Sequence, residues 1–350
     1  MSIIKKNIED KIILLSHEQY ILETYPAADP TWISKLFNIK TQFLMDGEAL
    51  ALANSLEGGG EQRKRKKRKM KDIDHSEFKT EIQFLEEKLK MIKHKFADVY
   101  SGAPSLEDIK ENNKNLRIHV QQLMHALEGF NDGIESRGGN ETDHVVEKQR
   151  ILLPPDSQYR LCDINTLGLE TTFDLILMDP PWENKHVKRK LDSNLGYSML
   201  NNHQIKKIGV RELLNKDGLV AVWCSNNARH RAAIRDWFMH WGLKELATWY
   251  WIKLTRYGEP VCKFSCGKNP YEVLIIAARG GDYEVPQELV FGSIPSGIHS
   301  HKPPISHLLD LWFPNHRRRL EIFGRYLQPG WTTVGLEACK LNHINLFKSP

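Results

Sequence analysis

Long apolar runs are missing from this 350-residue chain. No segment reaches the ~18 consecutive apolar residues that a membrane-crossing helix needs. The lysines near Met1 are not followed by the apolar core of a secretory leader, so no membrane partner is expected. Cysteine is scarce: Cys162, Cys224, Cys262, Cys266 and Cys339 are all there is. An odd number at wide spacing argues against a disulfide framework and suits a reducing compartment. Cys262 and Cys266 form a C-x3-C pair upstream of His299, His301 and His307. That spacing matches no standard zinc site, and no metal is expected. The G-x-G-x-x-G turn is absent, which argues against a nicotinamide dehydrogenase. A strong charge of one sign is lacking too. The 49 Lys and Arg against 44 Asp and Glu leave +5, compatible with nucleic acid without demanding it.

What the chain does have is one stretch around which the rest is organised, Leu175-Ile-Leu-Met-Asp-Pro-Pro-Trp182. The apolar run has the length and composition of a strand buried on both faces. Pro180 and Pro181 cannot donate to a sheet ladder, so the strand stops there. Ligands of open parallel sheets bind beyond the carboxyl ends of the strands, which puts Asp179 and Trp182 on a stiff support at a pocket. The matching chemistry is methylation of an exocyclic amine on a base. The Asp179 carboxylate and the Pro180 carbonyl can accept the two N–H bonds and hold the nitrogen in line. The Trp182 face can stack on the base, an interaction of about 1–3 kcal/mol. The bland alternative is a strand, a proline turn and a packing tryptophan.

Before that stretch the pattern changes several times. Residues 1–57 read as a small N-terminal element. Ile12–Leu15 and Tyr20–Leu22 fit short strands or pieces of helix, and a rough helical period runs from Trp32 to Leu44. Residues 58–75 are a flexible linker, Gly58-Gly-Gly60 followed by Arg63–Lys71, basic at every position but Met70. The block suits a solvated linker, a nucleic-acid arm or an import signal. Import is the favoured reading, with nucleus as the expected location and cytoplasm as a second one. Residues 76–128 read as a helical hairpin. Ser76 to Tyr100 is striped by Phe78, Ile82, Leu85, Leu89, Ile92 and Phe96. Ser105 to Leu127 follows, with Ser105 and Asp108 as the cap signal. A partner-binding coiled coil is the alternative for the two stripes. A polar, Gly-rich linker covers 129–147, and a catalytic domain covers 148–350.

In that last part strands alternate with helices. Strands are expected at 159–162, 173–178, 218–224, 245–253, 273–278, 289–291 and 320–323, and helices at 202–208, 211–214, 228–241 and 305–313. Such alternation implies an α/β fold, a mostly parallel sheet covered on both faces, with a mainly helical N-terminal extension. Trp223, Trp249, Tyr250 and Trp251 read as core, Trp251 being the first candidate for an exception. Arg317-Arg-Arg319 fits a phosphate patch or a charged loop equally well.

The motifs Met178-Asp-Pro-Pro-Trp-Glu-Asn-Lys185, His299-Ser-His-Lys-Pro-Pro304 and Leu327-Gln-Pro-Gly-Trp331 resemble those of the MT-A70 family of N6-adenine methyltransferases, and their flanks narrow the resemblance to one branch. It covers roughly residues 150–347. It implies a Rossmann-like S-adenosylmethionine-dependent methyltransferase of permuted strand order, the Asp-Pro-Pro-Trp strand preceding the cofactor loop at Leu320–Arg325. Asp179, Pro180, Pro181 and Trp182 are then the catalytic set. Asp163, Ile164, Asp179, Lys302, Arg325, Gln328 and Glu337 are the cofactor set, Asp163 and Ile164 against adenine, Arg325 at the ribose. Lys302 faces the cofactor carboxylate or the acceptor base. Gly324 allows backbone approach to a ligand. Asn184, Lys185, Lys188, Arg189, Tyr197 and Glu272 are the substrate set. The family carries Gly-Asn-Gln or Gly-Asn-Glu where this chain has Gly335-Leu336-Glu337. Leu336 lacks an amide, so weaker cofactor binding is expected. The implied partner is RNA with a single-stranded or flipped-out adenine, in particular internal 2′-O-methyladenosine of a spliceosomal small nuclear RNA. DNA is the competing substrate, and the protein is expected to be a monomer. A non-catalytic RNA-binding scaffold is the reading from a different class.

Overall fold

The computed structural model describes residues 2–44, 46–56, 78–125, 127, 135–137, 144–146, 149–164, 168–182, 200–264 and 269–349. The expected basic linker, Ser76, Cys266 and the substrate-set residues Asn184, Lys185, Lys188, Arg189 and Tyr197 lie outside them.

In chain order the strands are β1 (Ile3–Asn7), β2 (Ile12–Leu15), β3 (Glu135–Arg137), β4 (His144–Val146), β5 (Gln149–Ile151), β6 (Gln158–Arg160), β7 (Phe173–Met178), β8 (Leu214–Cys224), β9 (Lys244–Lys253), β10 (Tyr271–Ala278), β11 (Glu288–Ser293), β12 (Arg319–Ile322) and β13 (Trp331–Val334). Eleven form one sheet in the order β1-β2-β11-β9-β10-β8-β7-β12-β13-β6-β3, and β4 and β5 pair separately. The run β8-β7-β12-β13-β6 is parallel. β10 is antiparallel to both of its neighbours, so the sheet is mixed, mostly parallel and Rossmann-like. The helices Lys79–Lys95 and Ala228–Trp241 pack on one face, and the turn Ser306–Leu309 packs on the other.

β7 shows why the apolar run is continuous. Leu175 and Leu177 enter the core on one face, with Trp223, Trp249 and Trp251. Ile176 and Met178 enter the core on the other, with Trp237 and Trp241. Each such buried side chain contributes about 1.5–3 kcal/mol. Trp251 is core as well, its indole N–H donating to Ser293 Oγ at 2.8 Å. The helix Ala228–Trp241 starts where the Asn227 side chain accepts from the Arg229 amide, ends at the left-handed Gly242 (φ 69°), and buries Ile234, Trp237, Phe238 and Trp241.

Several expectations are revised. Of the two segments open between strand and helix, Ile12–Leu15 is a strand, fully buried and parallel to β11, and Tyr20–Leu22 falls in the helix His17–Thr24. The helix expected over Trp32–Leu44 is only Pro30–Leu36. The helix expected over 105–127 is two, Leu106–Glu111 and Lys114–His125, separated by Asn112 (φ 49°) and Asn113 (φ 56°) in the left-handed region. The capping box of Ser105 and Asp108 is present. The two N-terminal stripes do not face each other. Leu85, Leu89 and Ile92 of the helix Lys79–Lys95 pack on the sheet. Leu116, Val120 and Leu123 join Ile33, Phe37 and Phe347 in a different cluster. The helix expected at 305–313 is one turn, Ser306–Leu309.

Candidate active site

β7 and β12 are neighbours, yet the chain leaves β7 toward β8 on one side and β12 toward β13 on the other. Their carboxyl ends therefore flank a topological switch point, where open α/β sheets bind ligands. Asp179 follows β7, and its amide donates to the Ile322 carbonyl at 3.3 Å, which extends the β7–β12 ladder by one residue. The Pro180 carbonyl accepts the Trp182 amide at 2.8 Å and keeps one lone pair for another donor.

A row of alternating charges runs from Asp179. Ser300 Oγ donates to Asp179 Oδ2 at 3.3 Å, and Lys302 Nζ lies 3.2 Å from the same oxygen. Lys302 also lies 2.9 Å from Glu272 Oε2, and Lys253 lies 2.5 Å from Glu272 Oε1. Among the described residues Asp179 Oδ1 takes no hydrogen bond. The side chains of Asp179 and Lys302 are 12% and 10% exposed, so these charges act where water screens little. Burial raises the Asp179 carboxyl above its ordinary range, and Lys302 opposes that rise. Burial also favours the neutral form of Glu272, but the two ammonium groups outweigh it and hold that carboxyl well below the usual range. Burial would lower the Lys302 ammonium, yet Asp179 and Glu272 raise it instead. Ser300 sits at φ 60°, a conformation non-glycine residues adopt uncommonly.

Lys302 is thus fixed and paired. Both oxygens of Glu272 are held by lysines. Lys253, its anchor, was missed by sequence reading. It lies two residues past Trp251, over whose ring its ammonium sits at 4.8 Å, and a lone lysine at a strand end carries no signal.

Of the cofactor set, Asp163 and Ile164 follow β6, Arg325 follows β12 and Glu337 follows β13. Asp163 is exposed and Ile164 buried. Arg325 Nε lies 2.9 Å from Glu337 Oε2, and Arg325 Nη1 donates to the His299 carbonyl at 2.7 Å. Glu337 also pairs with Lys340 at 2.5 Å. An apolar side chain, a carboxylate that accepts hydroxyls and a strand-end acid make a donor set that fits an adenosine bearing a cationic chain. Two expectations change. Gln328 is buried, accepting from Ser306 Oγ at 2.7 Å and donating to Glu321 Oε2 at 3.3 Å, so it supports the wall and does not line the rim. A Cβ at Gly324 would lie 2.5 Å from Thr333 Cγ2 and 2.9 Å from Glu321 Cδ, so packing within the protein already demands that glycine. Glu321, also missed, is 3% exposed. Burial pushes its carboxyl up to about 8, and the nearby Asp179 charge adds to the shift. An acid inside an apolar strand was the available signal.

Trp182 differs most from expectation. Its indole stacks on His230, with centroids 4.3 Å apart and planes 14° apart, and on Trp237 at 5.4 Å and 8°. These two rings are seven residues apart on one helix, about 10.5 Å, so Trp182 fits between them with both faces covered. A cavity of about 310 Å³ lined by Asp310, Pro314, Arg317, Arg319, Pro329 and Gly330 lies at the amino ends of β12 and β13, the opposite end of the sheet from Asp179. Arg317-Arg-Arg319 leads into β12 there: the Arg317 and Arg318 amides donate to Asp174 Oδ2 at 3.2 and 2.9 Å, and Arg319 pairs with Asp310.

Residues 173–337 match the MT-A70 family model. The chain is 38% identical over 218 residues to a mouse protein named N(6)-adenine-specific methyltransferase METTL4, covering 57% of this chain and 45% of that one. It is 35% identical over 213 residues to the N6-methyladenosine RNA methyltransferase MTA1 of Pyricularia oryzae, covering 55% and 56%. It is 26% identical over 374 residues to a Caenorhabditis elegans protein named DNA N6-methyl methyltransferase, covering 97% and 98%. The matched region is under half the length of the mouse relative. METTL4 is the branch to which the flanks of the Asp-Pro-Pro-Trp motif pointed. The strand bearing Asp179, the lysine that pairs with it and the glutamate that pairs with Arg325 all fall within residues 173–337, the segment that is similar to the MT-A70 family.

Proposed function

We propose that this protein transfers the methyl group of S-adenosylmethionine to the N6 amine of adenine in RNA, with internal 2′-O-methyladenosine of a spliceosomal small nuclear RNA as the target. The observation that carries the reading is Asp179, a carboxylate at a strand end with one oxygen held by Ser300 and Lys302 and the other turned to no described group. The cofactor brings an electrophilic methyl, already activated. The chain's own task is alignment and exclusion of water. Asp179 Oδ1 and the Pro180 carbonyl accept the two N–H bonds and direct the nitrogen lone pair at the methyl carbon. As the new C–N bond forms and the C–S bond breaks, the amine gains positive charge, and Asp179 is the adjacent acceptor for its proton. Arg325, Glu337, Asp163 and Ile164 hold the cofactor on the other side of β7. This order, acceptor strand before cofactor strand, is the permuted arrangement.

The printed names of the relatives include both RNA and DNA enzymes, so DNA is the competing substrate. We further assign Arg63–Lys71, within the linker 58–75, to nuclear import and 148–350 to catalysis, in a protein that works as a monomer. Labelled cofactor with matched RNA and DNA oligonucleotides, the product nucleoside identified by mass spectrometry, tests the reading. Transfer is expected to RNA carrying 2′-O-methyladenosine and to fall by a factor of about 10² or more in Asp179→Asn. Cofactor binding without transfer to either nucleic acid would instead favour the scaffold.

A further inference from the structure

Glu81 lies on the helix Lys79–Lys95, which precedes the family-matched residues and bears no motif. Its side chain is 13% exposed and turns inward to Arg231, which is 12% exposed. Arg231 Nη1 donates to Oε2 at 2.5 Å and Nη2 to Oε1 at 2.8 Å. Tyr271 Oη donates to Oε1 at 2.6 Å, and the Phe78 ring lies 4.7 Å from the guanidinium. A bidentate, charge-assisted pair of this kind fixes orientation as well as distance.

Both partners adjoin the acceptor side of the site. Arg231 follows His230, whose ring covers Trp182. Tyr271 precedes Glu272, which holds Lys302. Successive residues of a strand point to opposite faces, so Tyr271 reaches Glu81 on one face while Glu272 meets the lysines on the other. The Tyr271 carbonyl accepts from Asn226 Nδ2 at 2.5 Å, and Ser225 Oγ and His230 Nδ1 are 2.6 Å apart. A closed ring therefore runs from Glu81 through Arg231 and His230, Ser225 and Asn226, and Tyr271 back to Glu81. None of the hydrogen-bond partners of Glu81 lies on β6, β12 or β13.

We propose that Glu81 is a positioning residue for nucleic-acid binding, setting the seat of His230 against Trp182 and the start of β10 that carries Glu272. The inference rests on the functional reading above. Without the carboxylate charge, Arg231 is left buried with no counter-charge and must share with Tyr271 Oη the single acceptor oxygen that glutamine keeps, so the helix turn bearing His230 shifts and the acceptor side loses its shape. The cofactor side stays as it is.

Full-length Glu81→Gln and Glu81→Asp test this. For Glu81→Gln, the KM for an adenine-containing RNA oligonucleotide is expected to rise on the order of tenfold. Cofactor affinity by calorimetry should change by less than about twofold, and Glu81→Asp should recover most of the loss. Hydrogen exchange should quicken at residues 225–235 and 271–274 and stay unchanged at 319–334. A lower melting temperature with KM and local exchange unchanged would mean a purely structural tie and overturn the proposal, as would faster exchange throughout the chain. If wild-type protein methylates neither RNA nor DNA, the functional reading falls. The exchange pattern and oligonucleotide binding by fluorescence anisotropy then decide on Glu81 alone.

Discussion

Single residues divide by what their motif could say. Asp179 and Lys302 were legible because a carboxylate between a strand and two prolines, and a lysine between a histidine and prolines, have few bland explanations. Gln328 and Glu272 were placed in the right region with the wrong neighbours, because a motif fixes a position along the chain and not the direction of the side chain. Trp182 was read as an open platform. The rings that cover it, His230 and Trp237, lie some fifty residues away and look like ordinary helix residues. Glu321 supports a test at this scale. Its carboxyl titrates near 8 when folded and near 4.3 when unfolded. Between those values the unfolded chain has released a proton that the folded one keeps, so stability falls as pH rises through that window. Glu321→Gln abolishes the loss. Its melting temperature, relative to wild type, is expected to climb from pH 5 to pH 8.5, and a constant difference would place the ionised carboxylate in the fold.

Among the elements, β7 and the helix Ala228–Trp241 were legible to the residue, since both combine an unbroken apolar pattern with clear stops. Elements whose ends depend on distant partners were not. The break at Asn112-Asn113 is held by the segment after Phe37. Asn113 Oδ1 accepts the Lys40 amide at 3.0 Å, and its Nδ2 donates to the Thr41 carbonyl at 2.8 Å. Asn112 does the same for Leu44 at 3.2 and 2.8 Å. Asparagine tolerates the left-handed region, and these side chains take the place of a strand partner. Asn113→Gly keeps the conformation and loses the bonds, whereas Asn113→Ala loses both. Denaturant unfolding is expected to show a loss of about 1–3 kcal/mol for the glycine variant, with alanine worse by a further ~1 kcal/mol. Equal losses would mean that backbone conformation contributes nothing there.

The main sheet of eleven strands draws its far edge from residues 3–15, and no local pattern in the chain announces such a pairing. Packing at this scale also buries histidines. His17, from the helix His17–Thr24, meets His301 edge-on at 4.3 Å, and neither ring nitrogen of His17 has a hydrogen-bond partner among the described residues. Burial lowers His301 to about 3, with the Arg325 charge adding to the effect, and burial lowers His17 well below its usual value, with its neighbour His301 adding to it. The unfolded chain protonates its histidines near 6.5 while the folded one does not. Their contribution is therefore complete above that pH and is lost as pH falls, each neutral histidine costing about 1.4 kcal/mol per pH unit below it. Relative to His17→Phe, which keeps a ring in the same packing, the wild-type melting temperature should drop between pH 7.5 and 5.5. Parallel curves for the two proteins would show that His17 does not titrate in this window.

Lys253, Glu272, Lys302 and Asp179 alternate in sign along one line. Each interior member answers to two neighbours, so a change of sign at any one position leaves a like charge beside it. Such a line cannot be altered by one substitution at a time without passing through a damaged intermediate. Descent should hand these four positions down together, and a lineage that abandons the chemistry should lose the whole line within a few steps, not drift away from it letter by letter.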